Sequence, residues 1–400
     1  MDIDTRIFLK KKFKDYYFRN RVAAPSEIER REFGVGTLDV KIKARHKSFP
    51  NERELNNYLK REAPFYVSYS SAYYEFPKNQ PMSQKIWLGA DLIFDLDADM
   101  AFLDRSVLEG VKRETLNLVD FLVSDFSFTK KNICVNFSGS KGYHIHVMDD
   151  EIRELGSEGR REIVDYVSGS IDFKNYLRLD MDRATGTEII TGPKKGDLGW
   201  PGRLYSGIYD FILNSGLEEL KTVDGIGNKK AKEIYDNKGR ILKELERGRY
   251  NYIPEIVTIK LSSLRTSDPN VRIPLIKEVN SPLVQKIVDD KAVKTLAAGD
   301  TDKMVTLDTS RLIRLPDSLH GGSGLKASRV GDLDGFDPLR DSVVFGDEEM
   351  ELDIRENVPR FQLMDKEFGP FRKGKTKLEE YAAVYLLLKD KAEIVKVKNQ

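Results

Sequence analysis

Asp95 and Asp97 stand one residue apart at the end of an apolar run, Asp91-Leu92-Ile93-Phe94-Asp95-Leu96-Asp97-Ala98-Asp99. In an extended strand successive side chains alternate faces, so the two carboxylates point one way and Leu96 turns to the core. Two carboxylates on one face repel and are costly to desolvate. A divalent cation resolves that conflict, and hard oxygen ligands favour Mg²⁺ or Mn²⁺. A solvated strand end would show the same pair, so its weight comes from the rest of the chain.

A second group follows a strand-like run, Asn132 to Phe137: Ser138-Gly139-Ser140-Lys141-Gly142-Tyr143-His144-Ile145-His146. Two glycines allow close backbone approach, and a hydroxyl, an ammonium and an imidazole suit phosphate oxygens. The spacing to Lys141 is not that of a Walker A loop, and no Ser or Thr follows it. A glycine-rich hairpin turn is the plain alternative. His144 and His146 share a strand face, and they are two of only four histidines. A third group runs from Asp302 through Val305-Thr306, Asp308, Arg311 and Arg314 to His320-Gly321. An acid precedes a short strand there. Arg311 and Arg314 share a face if their segment is helical, which makes a clamp for a triphosphate. A surface salt-bridge patch is the other reading of the same residues.

The elements that must position these groups are legible in outline. Residues 4–20, 51–61, 105–124 and 157–168 carry helical periodicity, and Phe65–Tyr69 reads as a strand. Glu32–Val35 and Asp39–Lys43 read as short strands around a turn, and Gly192–Gly196 as a loop. From Tyr205 to Arg249 the pattern is helical, as expected of an inserted subdomain. Within it Thr222-Val223-Asp224-Gly225-Ile226-Gly227-Asn228-Lys229-Lys230 resembles a helix-hairpin-helix. Gly225 and Gly227 would let helix amides face a DNA phosphate, with Lys229 and Lys230 adding sequence-independent attraction. A tight interhelical turn with solvated lysines accounts for the same residues. The region beyond about 345 is acidic and ends in a helix and a short strand.

Four hundred residues allow two or three structural units. The net charge of +1 does not advertise a polyanion-binding protein, but residues 1–50 hold 13 Lys or Arg against 7 Asp or Glu, interleaved with aromatics. No apolar run reaches the roughly 20 residues of a membrane span, and no signal-peptide pattern is present. One cysteine, Cys134, excludes an internal disulfide framework. A cytoplasmic protein without membrane association is expected.

Taken in order, these pieces resemble the catalytic (small) subunit of archaeal and eukaryotic DNA primases. The ordered set is Arg31-Glu32-Phe33-Gly34, Arg45 before Ser48-Phe49, the Asp-Leu-Asp-Ala-Asp strand, Ser-Gly-x-x-Gly-x-His, and Arg311-Leu312-Ile313-Arg314-Leu315-Pro316 leading to Ser318-Leu319-His320-Gly321. The resemblance implies an α+β fold, a catalytic core around a largely antiparallel sheet with a helical insertion. On this reading the core occupies 1–204 and 251–345, the insertion 205–250, and an extension 346–400. It implies metal ligation by Asp95, Asp97 and Asp302, with Asp308 as the rival third ligand. It implies nucleotide contacts from Ser138, Gly139, Lys141, Gly142, His144, Arg314 and His320, with Arg311 and Arg45 as further candidates. Many relatives have arginine where Lys141 stands, which weakens bidentate phosphate contact.

The implied activity is template-directed nucleotidyl transfer that makes short primers de novo on single-stranded DNA, by a two-metal mechanism with Mg²⁺ or Mn²⁺. A primase-polymerase of repair, extending existing primers, is the nearest alternative. Haloacid-dehalogenase phosphotransferases also place Asp-x-Asp after an apolar strand, but Ala98-Asp99 fits their pattern poorly. A non-catalytic DNA-binding subunit would not need both basic clusters and the acids. A zinc knuckle common in archaeal relatives has no counterpart here. One cysteine, and no histidine between His46 and His144, cannot assemble a tetrahedral site, so no structural zinc is expected. The four cysteines of the family's iron–sulfur domain are also missing, so a separate large subunit is expected as heterodimer partner.

Overall fold

Asp2 opens α1 (Ile3–Arg19) by accepting the Thr5 amide hydrogen, and Asn51 opens α2 (Glu52–Glu62) on the Glu54 amide. Short polar side chains at that position satisfy amides that a helix leaves without partners. The computed structural model describes the backbone of residues 1–181, 186–265, 272–294, 296 and 300–395, and their side chains except at 264–265, 272–273 and 300–303. Strands β1 (Phe33–Gly36), β2 (Ala44–Lys47), β3 (Tyr66–Ser70), β4 (Ala72–Tyr74), β5 (Trp87–Ala90) and β6 (Leu92–Asp97) flank and follow α2. Then come α3 (Arg105–Ser124), β7 (Ile133–Phe137), β8 (Gly142–Val147), α4 (Asp150–Arg153) and α5 (Ser157–Val167). The middle of the chain holds β9 (Arg178–Met181), β10 (Glu188–Thr191), α6 (Gly199–Asn214), α7 (Leu217–Lys221), α8 (Asn228–Asp236) and α9 (Lys238–Glu246). It ends with β11 (Thr258–Arg265), β12 (Arg272–Asn280) and α10 (Pro282–Lys291). The last part holds α11 (Asp300–Leu307), β13 (Leu312–Arg314), β14 (Arg329–Val330), α12 (Pro338–Asp341), β15 (Glu349–Ile354), β16 (Phe361–Leu363), β17 (Lys366–Phe368), β18 (Gly374–Glu379), α13 (Glu380–Leu388) and β19 (Ala392–Ile394).

The chain divides into two compact units. The first takes Met1–Val119, Phe128–Val164 and Thr295–Gln400, and it rests on two four-stranded antiparallel sheets, β13-β3-β1-β2 and β14-β7-β8-β6. Helices and antiparallel sheets together make the architecture α+β. The two sheets meet where Tyr69 of β3 stacks on His146 of β8, ring centroids 6.0 Å apart. The second unit takes Asp120–Ser127 and Asp165–Lys294. It holds the antiparallel pairs β9–β10 and β11–β12 with α6 to α10, around Trp200, Leu204, Ile208 and Ile212, all buried. The helical stretch expected at 205–250 lies within it, and its first helix begins earlier, at Gly199. Among the described residues no helix is long and apolar enough to cross a membrane.

The start of the carboxylate strand is anchored by a buried ionic knot. Arg31 sends Nη2 to Asp91 Oδ2 at 2.7 Å and Nη1 to the Ser70 and Ser71 carbonyls at 3.0 and 2.7 Å. Tyr73 donates to the other Asp91 oxygen at 2.7 Å, and Arg160 holds the Ala90 and Asp91 carbonyls at 2.8 and 2.9 Å. A buried guanidinium with every direction filled fixes geometry, whatever its net contribution to stability. Arg31 of the Arg-Glu-Phe-Gly stretch is therefore scaffold, holding β6 in place.

Three local expectations are corrected. Residues 39–43 form bends, and the strand falls at β2, because Val35 pairs with Ala44. The acid at 302 does not precede a strand: 300–307 is α11, where Val305, Thr306 and Leu307 are buried as the helix lies along β6. Tertiary burial there overrides the strand preference of Val and Thr. Arg311 and Arg314 do not lie on a helix; Asp308–Ser310 turn, and Arg314 ends β13 opposite Ser68 of β3.

Candidate active site

β6 is buried through Leu92, Ile93, Phe94 and Leu96, and only Asp95 and Asp97 are partly open to solvent. Its partner β8 sets His144 opposite Asp95 and Gly142 opposite Asp97. Glycine is required at 142, since a Cβ there would lie 1.7 Å from the Leu96 carbonyl oxygen. His144 Nε2 stands 3.3 Å from Asp95 Oδ1, an ion-pair distance without the alignment of a directed hydrogen bond. Burial alone would raise the Asp95 pKa; His144, then Arg311 and Lys41, outweigh it and hold the carboxyl below its ordinary value.

Ser138 ends the strand pair and organises the loop. Its Oγ accepts from the amides of Ser140, Lys141 and Gly142 at 3.4, 3.3 and 3.3 Å. Three successive N–H groups thus converge on one oxygen, which fixes the turn and leaves the Ser138 O–H to donate. Gly139, at φ +80°, turns the chain, and a Cβ there would meet His320 Cβ at 3.0 Å. The His320 loop therefore closes onto the Ser138 loop.

Both loops face a cleft of about 580 Å³ whose lining includes Asp95, Asp97, Asp308, Ser138, Lys141 and His144. Lys41, Arg45, Arg311, Arg314 and Lys389 add cations to its wall, and His320 an imidazole. Arg45 is engaged elsewhere as well, with Nε 2.9 Å from Glu32 Oε1. Burial pulls the Arg314 pKa down while Tyr66, Tyr17, Asp97 and Asp95 hold it up, and a guanidinium so placed keeps its proton. Its Cζ lies 5.0 Å from the centroid of Tyr66. Burial, helped by Arg314, Lys41 and Lys389, drives the His320 pKa well below its ordinary value. The neutral ring accepts from the Gly322 amide at Nδ1, 3.2 Å away, which assigns its proton to Nε2 as a donor.

Two of the hard oxygen donors that a divalent cation takes stand together here. Asp95 Oδ1 is buried with no directed donor, and a second carboxylate shares its strand face. Among the described residues no three His, Cys, Asp or Glu side chains gather closely enough to hold an ion. The expected third ligand, Asp302, lies on α11 beside β6, but its side chain is outside the described residues. Asp308 lines the cleft.

The cleft brings together Asp95, Asp97, Ser138, Lys141, His144, Arg45, Arg311, Arg314 and His320 from stretches far apart in sequence. Reading the chain missed Lys41 and Lys389 as members of that wall. Lys41 belonged to a visibly basic segment, whereas nothing local marks Lys389. A larger cavity, about 920 Å³, lies wholly in the second unit. Its wall mixes Asp224, Asp289 and Asp290 with Lys230, Lys286 and Lys294, so the paired acids and phosphate-type loop belong to the smaller cleft. In the second unit Gly225 takes φ +80° between α7 and α8, Gly227 caps α8 without a side chain, and Lys229 is exposed.

The α+β core sets paired acids opposite cations in one cleft, and comparison with known proteins defines the class. A model of the DNA primase small subunit family matches residues 94–332. The chain is 37% identical to the DNA primase small subunit PriS of Methanothrix thermoacetophila, over 98% of this chain and 100% of that one. It is 35% identical to PriS of Methanococcoides burtonii (98% and 99% covered) and 34% to that of Halorubrum lacusprofundi (98% and 98%). The chain belongs to the DNA primase small subunit family.

Proposed function

We propose that the chain is the catalytic subunit of a DNA primase, a nucleotidyl transferase that starts chains de novo on a single-stranded DNA template from nucleoside triphosphates. One observation carries the reading. A single cleft collects the Asp95–Asp97 pair, the Ser138 loop and the cations Lys41, Lys141, Arg311 and Arg314. Transfer of a nucleotidyl group needs that inventory, because catalysis rests on positioning and on offsetting phosphate charge.

Asp95, Asp97 and Asp302 would hold Mg²⁺ or Mn²⁺, which supplies charge neutralisation on the triphosphate and a lowered pKa for the attacking 3′-hydroxyl. The Ser138 hydroxyl would donate its hydrogen, and Lys141, Arg311 and Arg314 would offer cations, to the phosphate oxygens. Neutral His320 donates from Nε2. His144, 3.3 Å away, helps keep Asp95 ionised, and no protein general base is required because metal coordination would lower the pKa of the hydroxyl. Arg45, tied to Glu32, presents a fixed cation at the cleft rim. In the second unit Gly225, Gly227, Lys229 and Lys230 would hold DNA phosphates without sequence preference. A large subunit is the expected heterodimer partner.

The test is unprimed synthesis on circular single-stranded DNA with labelled nucleotides and Mg²⁺ or Mn²⁺, with Asp95→Ala, Asp302→Ala and Asp308→Ala in parallel. De novo products from the wild type that vanish in Asp95→Ala and Asp302→Ala support the reading and its third ligand. Loss in Asp308→Ala alone moves the ligand to 308. Extension of supplied primers without de novo products, with the large subunit present, favours a repair-type polymerase.

A further inference from the structure

Lys389 caps the C-terminal end of α13 and belongs to the same cleft wall as Asp95, Lys141 and Arg314. The helix that carries it is buried on every side from Tyr381 to Leu388. Its seat is fixed from two directions. The Tyr385 hydroxyl accepts the Leu103 amide at 3.0 Å and Phe102 stands edge-on to the Tyr385 ring at 6.3 Å, both in the segment that follows the carboxylate strand. On the other side Leu388 and Val384 press on the His320 loop, where a Cβ on Gly324 would lie 3.1 and 3.2 Å from them. The ammonium is therefore held by two elements that already frame the site.

Its electrostatic surroundings are unusual for a half-buried lysine. Nζ donates to the Ala101 carbonyl at 2.9 Å, which leaves two further N–H groups. Burial, and after it the like charges of Lys141 and Lys391, lower its pKa, while the Phe102 and Tyr385 rings, 5.9 and 5.6 Å from Nζ, face the ammonium. Like charges gathered at a cleft wall cost free energy that a bound polyanion removes. Position within the cleft indicates which part of a polyanion. Lys389 holds the Ala101 carbonyl, past the Asp97 end of β6, on the side where Lys141 precedes Gly142, the partner of Asp97, so it stands beyond the end of the carboxylate strand.

We propose that Lys389 binds the distal phosphates of the incoming nucleoside triphosphate, so that the C-terminal helix completes the phosphate end of the site. The assignment rests on the nucleotidyl-transfer reading above, and it extends the site beyond residues 94–332, where the family match ends. Arginine at 389 would keep the charge, and methionine would keep only the apolar stem.

Titration calorimetry with a nucleoside triphosphate, diphosphate and monophosphate in Mg²⁺ tests this on wild type, Lys389→Met, Lys389→Arg and Arg314→Ala. Lys389→Met should weaken the triphosphate about tenfold, the scale of one charge-assisted hydrogen bond. The monophosphate should bind unchanged, KM should rise with kcat nearly constant, and Lys389→Arg should restore most of the affinity. Equal weakening of all three nucleotides together with a lowered melting temperature would make Lys389 a structural residue and overturn the proposal. So would unchanged triphosphate binding in Lys389→Met while Arg314→Ala loses it, an outcome that leaves the functional reading standing. A wild-type chain that binds no triphosphate would overturn both.

Discussion

Single side chains here do two separable jobs, chemistry and scaffolding, and substitution distinguishes them. Asp95→Asn keeps the shape of the side chain and removes the charge of a proposed metal ligand. It should lower kcat by about a hundredfold or more while the melting temperature changes little. Glu32 is scaffold. Its side chain is fully buried and meets Arg45 at 2.9 Å, Lys85 at 3.2 Å and the His46 amide at 3.2 Å. Burial alone would raise its pKa; Arg45, Lys85 and the His46 amide overcome that and hold it below the ordinary carboxylate value. Burial pulls the Lys85 ammonium down in spite of Glu32, so the charge of the pair is more secure on the carboxylate. A depressed carboxyl pKa contributes stability above the unfolded value of about 4.3, and that contribution is lost as pH falls through the folded value. Glu32→Gln should therefore cost about 3 kcal/mol near neutral pH, the scale of a broken buried ion pair. Its stability should also fall less steeply with acid than that of the wild type, as read by denaturant melts at several pH values.

At the scale of elements, the site is a strand pair with loops folded against its end. The β6–β8 register puts His144 beside Asp95, and Gly142 permits the approach. Gly142→Ala forces a methyl into the Leu96 carbonyl, so the strands must separate or shift. We expect a loss of about 3 kcal/mol in stability. Activity should fall further than that loss of folded protein explains, measured by thermal melts beside initial rates. Gly139→Ala is milder in space but strained in φ, and should raise KM for the nucleotide more than it lowers the melting temperature. Arg31 makes a complementary point. Its stretch helped place the chain in a family, yet its role is to brace the start of β6 through Asp91.

For the whole molecule, the second unit offers a test of its own. If the Gly225–Gly227 turn contacts the DNA backbone, Lys229→Glu with Lys230→Glu should weaken single-stranded DNA binding and reduce the dependence of log K on log salt by roughly one unit per lost phosphate contact. Triphosphate affinity should stay unchanged. Fluorescence anisotropy across a salt series checks the first expectation and calorimetry the second. An unchanged salt slope would return the turn to a packing role.

Much of this was written locally. Helices at 105–124 and 157–167, the carboxylate strand and the Ser138 loop follow from short-range periodicity, turn chemistry and residue type, which the chain carries within a few residues of each element. That Asp95, Ser138, Arg314 and His320 line one cleft was expected from the family resemblance that their motifs carry together, and not from any one motif alone. Other features depended on contacts between distant segments. Val305-Thr306 became helix because burial against β6 outweighed β-branched preference, and Arg311 reaches the cleft from a turn rather than a helical face. Arg45 carries a partner, Glu32, whose burial no local pattern announces. Lys389 shows the limit most clearly: its neighbours in sequence are an apolar buried helix, and only the wedging of that helix between Leu103 and Gly324 delivers its charge to the cleft. Residue type and spacing determine which chemistry a chain can offer, because they act over a few bonds; tertiary structure decides which charges meet, because electrostatics and burial act through space between segments that sequence order keeps apart.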